Sequence, residues 1–239
     1  MLKTMGINRI VFNGCSYVNH YTAGMGGHDL AEKLGINKEN ICDLSEPGSS
    51  NSRIIRTTLE DCHNNNSSLY VIGITFIHRY ELPILKEQQF QQINRHINNV
   101  GDLNDGITVH DIEKFHKLKT KFEINADKLM LIDTLYAYTS MIDSLLNNGH
   151  KVVLFNTAEI IFKYFTDDKD LEYINRYNKY IVEKFNWYSN QYQLDKGAKI
   201  DETDLHRNHI PDICKHIKQG EHKYLNEFLY DYINNNLYV

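Results

Sequence analysis

The chain has little proline and cysteine, and it has no long hydrophobic run. Its three prolines, set against abundant Asn, Ile, Tyr and Lys, indicate drift in an AT-rich genome and say little about chemistry. The four cysteines, at positions 15, 42, 62 and 214, form no CxxC pair. This argues against a zinc knuckle or a disulfide framework and favours a reducing compartment. No apolar stretch approaches the ~20 residues that a membrane helix needs.

An excess of basic residues is also missing. The formal net charge of −5 gives no electrostatic footprint for nucleic acid or a membrane surface, so neither is expected as a partner. No GxGxxG or GxxxxGK[ST] loop follows the first predicted strand, and the glycines of 25–28 lie too far downstream. This disfavours a nucleotide-binding module. The first strand begins soon after Met1, which predicts no signal peptide and a cytoplasmic protein.

The segments that are present alternate between strand and helix patterns. Hydrophobic residues make up 41% and charged residues 24% of the chain, typical of a soluble globular protein, and 239 residues suffice for a full core. Short apolar runs predict strands at 9–13, 41–45, 69–75, 151–156 and 197–200. Helical spacing predicts helices at 27–34, 50–62, 126–146, 171–188 and 221–233. The alternation predicts one α/β domain over 1–239, with a parallel sheet between two helix layers.

The stretch 83–123 interrupts this alternation. It is polar, rich in Gln, Asn, His and Lys, and contains Gly101 and Gly106. Two interpretations stay open. One is an inserted helix followed by a mobile loop that shapes or covers a site, since long insertions at strand ends often do so. The other is a plain disordered excursion.

The end of the first strand offers a candidate nucleophile. The apolar run 9–13 stops at Gly14, and Ser16 follows two residues later. In an open α/β sheet, ligands bind outside the carboxyl ends of the strands, so Ser16 would face a site. A serine hydroxyl is a weak nucleophile and needs a base and oxyanion donors from elsewhere in the chain. The alternative is that Ser16 only caps the next helix, as serine often does.

Three further segments carry polar residues at the ends of predicted elements. The second strand is followed by Gly-Ser-Ser-Asn at 48–51, and the third ends in Gly-Ile-Thr at 73–75, before His78 and Arg79. Near the C-terminus, the chain reads Asp-Ile-Cys-Lys-His over 212–216, ahead of an amphipathic last helix. Each segment alone is a weak signal, and their order along the chain is the stronger argument.

In this order the segments resemble the blocks of the SGNH/GDSL hydrolase superfamily, in particular divergent members found in phage genomes. Gly-Cys-Ser-Tyr at 14–17 fits the first block, a strand followed by Gly-[Asp/Cys]-Ser-[Leu/Tyr]. The second block, a glycine often followed by Ser-Asn and a helix, matches 48–51. His216, His222 and Leu225 reproduce the His-x5-His-x2-Leu part of the fourth block. A phage origin would place the protein in the host cytoplasm.

The resemblance implies a three-layer α/β/α sandwich and a serine esterase. We therefore predict a flavodoxin-like, five-stranded parallel sheet in the order 2-1-3-4-5, which places the ends of strands one and three side by side. The implied catalytic residues are Ser16 as nucleophile, His216 as general base and Asp212 as the acid that orients it. The backbone N–H groups of Ser16 and Gly48 and the Thr75 hydroxyl would stabilise the oxyanion. The implied substrate is a small-molecule or carbohydrate ester with an acyl or acetyl group, and no cofactor is implied.

The sequence departs from the family pattern at two positions. The third block normally reads Gly-x-Asn-Asp, whose Asn donates to the oxyanion, and Thr75 stands in its place. Asp212 lies four residues before His216, where the family spacing is three. Three explanations stay open: a bulged turn absorbs the extra residue, the acid is Asp204 or Asp201, or the acid is missing. Both departures favour the alternative function, a catalytically degenerate relative that binds a ligand or partner in the same cleft without turnover.

Residues beside these blocks are candidates for substrate binding. Asn51, His78 and Arg79 lie at the same predicted rim, and the cation of Arg79 suits a carboxylate or phosphate on the substrate. Pairing of Arg79 with Glu81 or another acid is the alternative. The Asp/His cluster at 204–209 contains ligand types for a metal, but the sequence offers no matching partners elsewhere, so no metal site is expected.

Overall fold

The computed structural model describes residues 7–65, 67–75, 79–84, 89–94, 126–157, 177, 179–180, 189–200 and 216–237 of the chain. Its strands are β1 (Arg9–Asn13), β2 (Ile41–Asp43), β3 (Ser68–Ile74), β4 (Arg79–Ile84), β5 (Gln89–Asn94) and β6 (Lys151–Asn156). Its helices are α1 (Ser16–Ala23), α2 (Gly26–Lys33), α3 (Asn51–Asn64), α4 (Ala126–Asn147), α5 (Ser189–Asp195) and α6 (Lys223–Asn236), with a turn of 3-10 helix at Lys38–Asn40.

Four of these strands form one parallel sheet. β1 pairs with β2 on one side and with β3 on the other, and β3 pairs with β6. Every residue of β3 is buried, which is typical of a parallel strand covered on both faces. Because β1 and β3 are neighbours and run in the same direction, the residues that follow Asn13 and Ile74 emerge side by side.

Helices cover both faces of this sheet. Phe12 packs edge-on against Tyr21 of α1, with ring centroids 5.8 Å apart, while the next residue, Asn13, donates hydrogen bonds into α3. Since successive side chains of a strand point to opposite faces, α1 and α3 lie on opposite faces of the sheet. α2 packs with α6, and α3 packs with α4. Among the helices described, none is long and apolar enough to cross a membrane.

The order of the described strands, β2-β1-β3-β6, agrees with the first four positions of the predicted sheet, and those four strands lie within two residues of their predicted bounds. The predicted fifth strand, 197–200, differs. In the described part of the chain it contributes one antiparallel bridge, between Ile200 and Ile217. A fifth parallel strand, and with it the complete order 2-1-3-4-5, stays a prediction.

The helix predictions at 27–34, 50–62, 126–146 and 221–233 correspond to α2, α3, α4 and α6. The prediction at 171–188 lies outside the described residues except for Tyr177, Lys179 and Tyr180. α1 and α5 have no predicted counterpart. Both are short, with eight and seven residues, so neither has a long apolar periodicity. α1 also begins without a side-chain hydrogen bond at its N-cap.

An antiparallel hairpin follows β3. β4 and β5 pair from Arg79 opposite Asn94 to Ile84 opposite Gln89. The inserted helix, one of the two interpretations of 83–123, is therefore wrong for the described residues at its start, and residues 95–123 lie outside the description. The sequence does carry a signal for the hairpin, because apolar residues at 80, 82 and 84 alternate with the period of a strand.

Candidate active site

Ser16 lies where β1 passes into α1. β1 ends at Asn13, Cys15 is the N-cap of α1 with an extended backbone (φ −95°, ψ −160°), and Ser16 is the first residue of the helix. The capping residue is thus Cys15, and the alternative role of Ser16 as the helix cap is wrong. Ser16 is half-buried at the carboxyl edge of the sheet. Its backbone N–H belongs to the first turn of the helix, whose amides have no intrahelical acceptor.

Two glycines let α1 sit close to the sheet. A Cβ atom on Gly14 would lie 2.3 Å from Cγ2 of Val18, and a Cβ atom on Gly73 would lie 2.4 Å from the same atom. Val18, in the first turn of α1, therefore occupies the space that side chains at both strand positions would need. This packing fixes the start of α1, and with it Ser16, against the ends of β1 and β3.

Asn13 ties the end of β1 to α3. It is buried, and its Nδ2 donates to the backbone oxygen of Ile54 at 3.0 Å and to the hydroxyl of Thr58 at 2.9 Å. Its Oδ1 accepts the N–H of Gly14 at 2.9 Å. Asn13 was not among the predicted site residues, although an asparagine that closes an apolar strand is a sequence signal, because a buried amide needs hydrogen-bond partners.

The loop that carries Gly48 runs alongside Gly14. The N–H groups of Leu44 and Glu46 donate to the carbonyl oxygens of Phe12 and Gly14 at 2.8 and 3.1 Å, so the pairing of β1 with the β2 segment continues past the strand ends. Gly48 has a φ of +83°, and among the described atoms no heavy atom lies within 4 Å of the place its Cβ would take. A left-handed backbone favours glycine. The loop therefore brings Gly48 to the edge where Ser16 lies, with open space beside it.

Arg53 of α3 holds this loop in place. Its guanidinium donates to the backbone oxygen of Leu44 and to the hydroxyl of Ser49, both at 3.2 Å, and it forms an ion pair with Glu46. The hydroxyl of Ser50 caps α3 by accepting the N–H of Arg53 at 3.2 Å. The loop is thus attached to α3 by both side-chain and backbone groups of one residue.

Thr75 follows β3 and is held by Asn51. Nδ2 of Asn51 donates to the carbonyl oxygen of Thr75, and Oδ1 accepts the N–H of Thr75, both at 3.0 Å. Tyr138 of α4 donates its hydroxyl to the same Oδ1 at 2.8 Å, and burial raises the pKa of Tyr138 well above its ordinary value. Because the amide of Thr75 is bound to Asn51, the hydroxyl is the group through which Thr75 can donate to an oxyanion. A role of Asn51 in substrate binding stays a prediction.

The end of β6 is bound to the same edge. The hydroxyl of Thr157 donates to the carbonyl oxygen of Ile74 at 2.8 Å, and the thiol of Cys15 lies 3.9 Å from that hydroxyl. Both Cys15 and Thr157 are buried. The ends of β1, β3 and β6 are therefore joined beneath the surface on which Ser16 is exposed in part.

His216 reaches this edge from the other end of the chain. Its ring stacks on His20 of α1, with centroids 4.1 Å apart and ring planes at 14°, and its centroid lies 4.8 Å from that of Tyr17. His216 is 4% exposed. Tyr17 follows Ser16 directly and His20 lies one helical turn after it, so the structure brings His216 to the helix face that begins with Ser16.

A second histidine, His222, packs against the last turn of α1. Its ring meets Tyr21 edge-on at 5.3 Å, and its Nδ1 lies 3.2 Å from Oε1 of Gln193. Burial lowers the pKa of His222 to about 4, with a smaller contribution from the nearby His20. His222 is therefore neutral at neutral pH. Within the described ranges, no group of three His, Cys, Asp or Glu residues is arranged to hold a metal ion.

Several predicted site residues lie outside the description. They are the three candidate acids, Asp212, Asp204 and Asp201, and the rim residue His78. Arg79 is the first residue of β4, and its side chain is outside the description as well. The roles assigned to these five residues remain predictions.

No family model matches the chain, and no curated protein is significantly similar to it. Among solved structures, the chain is similar to a "putative acylhydrolase" from Bacteroides fragilis, at 14% identity over 96% of this chain and 88% of that chain, with a TM-score of 0.43. It is also similar to a "GDSL-like lipase" from Bacteroides thetaiotaomicron, at 14% identity over 98% and 90% of the two chains, with a TM-score of 0.43.

Proposed function

We propose that the chain is a serine hydrolase that cleaves carboxylic esters at the carboxyl edge of its sheet. The observation that carries the proposal is the position of His216, whose ring stacks on the helix that begins with Ser16. Activation of a serine hydroxyl needs an imidazole close to it. The stacking supports such a pair, because it joins the helix that begins with Ser16 to a histidine from the far end of the chain.

The proposed reaction has two steps. Ser16 Oγ attacks the carbonyl carbon of the ester while His216 takes the hydroxyl proton, and the departing alcohol then receives that proton, which leaves an acyl group on Ser16. A water molecule then attacks the acyl carbon while His216 takes its proton. The bond from that carbon to Ser16 Oγ breaks, His216 returns the proton to Ser16 Oγ, and the carboxylic acid leaves. Asp212 is assigned to hold the imidazole in the tautomer that accepts the proton, with Asp204 or Asp201 as the alternative acids.

Three donors are assigned to the oxyanion. They are the N–H of Ser16, the N–H of Gly48 and the hydroxyl of Thr75. The open space beside Gly48 and the hydrogen bonds that fix the Thr75 backbone support this assignment. Loss of one such donor typically costs ~3–4 kcal/mol of transition-state stabilisation. A threonine hydroxyl in place of the family's asparagine amide therefore predicts slow catalysis.

The proposed substrate is a small-molecule or carbohydrate ester that carries an acyl or acetyl group. His78 and Arg79 follow the carboxyl end of β3 along the chain, and they are assigned, with Asn51, to its polar part. A guanidinium at this rim would favour substrates that carry a carboxylate or a phosphate.

The nucleophile can be tested with a serine-directed phosphonate probe. The native protein is expected to take up one probe molecule, on the peptide that contains Ser16, as measured by mass spectrometry. Ser16→Ala is expected to lose this labelling and to reduce kcat/KM for a short-chain aryl ester by about 10⁴-fold or more, because the attacking oxygen is gone. Ser52→Ala is the matched control, since Ser52 is an exposed serine in the first turn of α3, and it is expected to retain both labelling and turnover.

Labelling that survives in Ser16→Ala would place the nucleophile elsewhere. A native protein that takes up no probe and hydrolyses no short ester would favour the second candidate function, a relative that binds an ester or a partner in the same cleft without turnover. The observation that favours this second candidate is Thr75, which stands where the resembled family has an oxyanion-binding asparagine.

A further inference from the structure

His20 and His216 form a face-to-face pair of imidazoles. Their planes are 14° from parallel and their centroids are 4.1 Å apart, a separation at which planar rings are in contact. Tyr17 approaches the same His216 ring at 4.8 Å, with its plane tilted by 38°. The ring of His216 is thus supported by two residues of α1, of which His20 provides the parallel surface.

The two supporting residues differ in what else they do. Tyr17 is buried within the core, whereas His20 is half-buried. Replacement of Tyr17 therefore removes core packing as well as the contact with His216. Replacement of His20 removes the parallel ring surface with a smaller loss of buried apolar area. A His20 variant can therefore test the contact with His216 with less effect on the stability of the fold.

We infer that His20 is a positioning residue for His216: its ring is the platform that sets the plane of the His216 imidazole relative to Ser16. This inference rests on the proposed function, in which His216 is the general base. A hydrogen bond to one ring nitrogen fixes that atom but leaves the ring able to rotate about it. Contact across the whole ring face restricts that rotation, and the platform lies on the same helix as the nucleophile.

The expected cost of losing the platform is kinetic. A displacement of about 1 Å between reacting groups can cost about a hundredfold in rate. Because His20 is assigned no contact with the substrate, its loss is expected to act on kcat and to leave KM nearly unchanged.

The test compares three replacements of His20 in the full chain. His20→Ala and His20→Leu are expected to lower kcat by about tenfold or more, with KM within about twofold of native. His20→Phe retains a flat ring of similar size and is expected to restore kcat to within about threefold of native. The control is His63→Ala, an exposed histidine in the last turn of α3, which is expected to leave kcat unchanged. Thermal unfolding of every variant identifies any that do not fold, and leucine retains most of the volume if alanine fails.

The possible outcomes distinguish failure of the positioning role of His20 from failure of the proposed hydrolase function. If the native protein is labelled at Ser16 and hydrolyses the ester, but all His20 variants have the native kcat, the positioning role is overturned and the proposed hydrolase function is retained. If His20→Phe is as slow as His20→Leu, a nitrogen of His20 and not its ring face is required, and the platform is overturned as well. If the native protein shows neither labelling nor turnover, the proposed function fails and the inference fails with it.

Discussion

Two buried asparagines hold the backbone at the ends of neighbouring strands. Asn13 accepts the N–H of Gly14 and donates into α3, and Asn51 binds both the N–H and the carbonyl oxygen of Thr75. An asparagine side chain has one acceptor and two donors, like a short piece of backbone. It can therefore form hydrogen bonds with the backbone N–H and carbonyl groups at a strand end, where no neighbouring strand supplies a partner.

Replacement of Asn51 by alanine tests this role. The N–H and carbonyl of Thr75 and the hydroxyl of Tyr138 would lose their bonds to Asn51 inside the protein, so Asn51→Ala is expected to lower the free energy of unfolding by about 2–3 kcal/mol. Tyr138→Phe removes one donor and leaves the Thr75 pair intact, and it is expected to cost about 1 kcal/mol. Urea unfolding of both variants gives the two values. Equal losses in both variants would contradict the role assigned to Asn51.

Residues that follow a strand can be placed from the sequence more easily than residues whose role depends on a contact with a distant part of the chain. Ser16, Gly48 and Thr75 could be placed at one edge because each follows a predicted parallel strand, and the described strand order brings those edges together. Asn51 and His20 could not be assigned their contacts in the same way. Each contacts a residue from a different part of the chain, and such a contact leaves no local pattern.

Close packing of α1 on the sheet sets the geometry at the scale of elements. The helix approaches β1 and β3 at two glycines, with Val18 filling the space between them. A β-branched residue has few rotamers with which to escape a clash. The start of α1, which carries Ser16, therefore has little room to shift.

Gly73→Ala is expected to push α1 away from the sheet. The added Cβ would lie 2.4 Å from Cγ2 of Val18 and 2.6 Å from Cγ2 of Thr157, and overpacking of this kind costs about 1–3 kcal/mol of stability. The rate of Ser16 labelling by the phosphonate probe should fall as well, because Ser16 moves with the helix. The double variant Gly73→Ala with Val18→Ala should lose less stability than the sum of the losses in the two single variants, because the smaller side chain at position 18 relieves the clash. Strict additivity in urea unfolding would show that Val18 is not the group that clashes.

Helices and strands differ in how far the sequence predicts them. α2, α3, α4 and α6 could be predicted because each has a cap, a terminating residue or a long apolar periodicity. α1 is eight residues long and begins at a cysteine that makes no side-chain cap bond. The β4–β5 hairpin crosses into the polar stretch 83–123, and the alternation of Tyr80, Leu82 and Ile84 in β4 is too short to predict the pair of strands.

At the scale of the whole molecule, a half-buried polar network lies at the opposite edge of the sheet. Arg9, at the start of β1, donates two hydrogen bonds of 2.7 Å to Asp61 near the end of α3, and the hydroxyl of Tyr70 donates to the same carboxylate at 2.7 Å. Burial alone would raise the pKa of Asp61, but the bonds from Arg9 and Tyr70 hold it below its ordinary value. The network ties α3 to β1 and β3 at the edge away from Ser16.

His150 belongs to the same edge of the sheet. Its Nδ1 accepts the N–H of Ser68 at 3.0 Å, and it meets the ring of Tyr70 edge-on at 5.2 Å. Burial lowers the pKa of His150 below its ordinary value. His150 is therefore neutral in the folded protein at neutral pH, as is His222 at the other edge. Protonation of either histidine at lower pH destabilises the folded state, because burial disfavours the charged imidazole.

These groups predict that the protein loses stability in mild acid. The folded-state pKa values of Asp61, His150 and His222 all lie below their ordinary values, so the unfolded chain binds more protons and their contribution is lost as the pH falls. For the histidines the loss begins near pH 6.5, and for Asp61 it begins only near its ordinary pKa of 3.8. With a folded-state pKa of about 4, His222 alone should remove about 2 kcal/mol between pH 7 and pH 5.

His222→Leu isolates this contribution, because leucine fills the buried position and cannot bind a proton. Its free energy of unfolding is expected to fall by about 2 kcal/mol less than that of the native protein between pH 7 and pH 5, whatever the variant's stability at pH 7. Urea unfolding at the two pH values measures the difference. His63→Leu serves as the control, since His63 is exposed and should leave the native pH dependence intact. The same pH dependence in His222→Leu and in the native protein would mean that His222 takes up its proton in the folded state without strain, and the acid sensitivity would then belong to the opposite edge of the sheet.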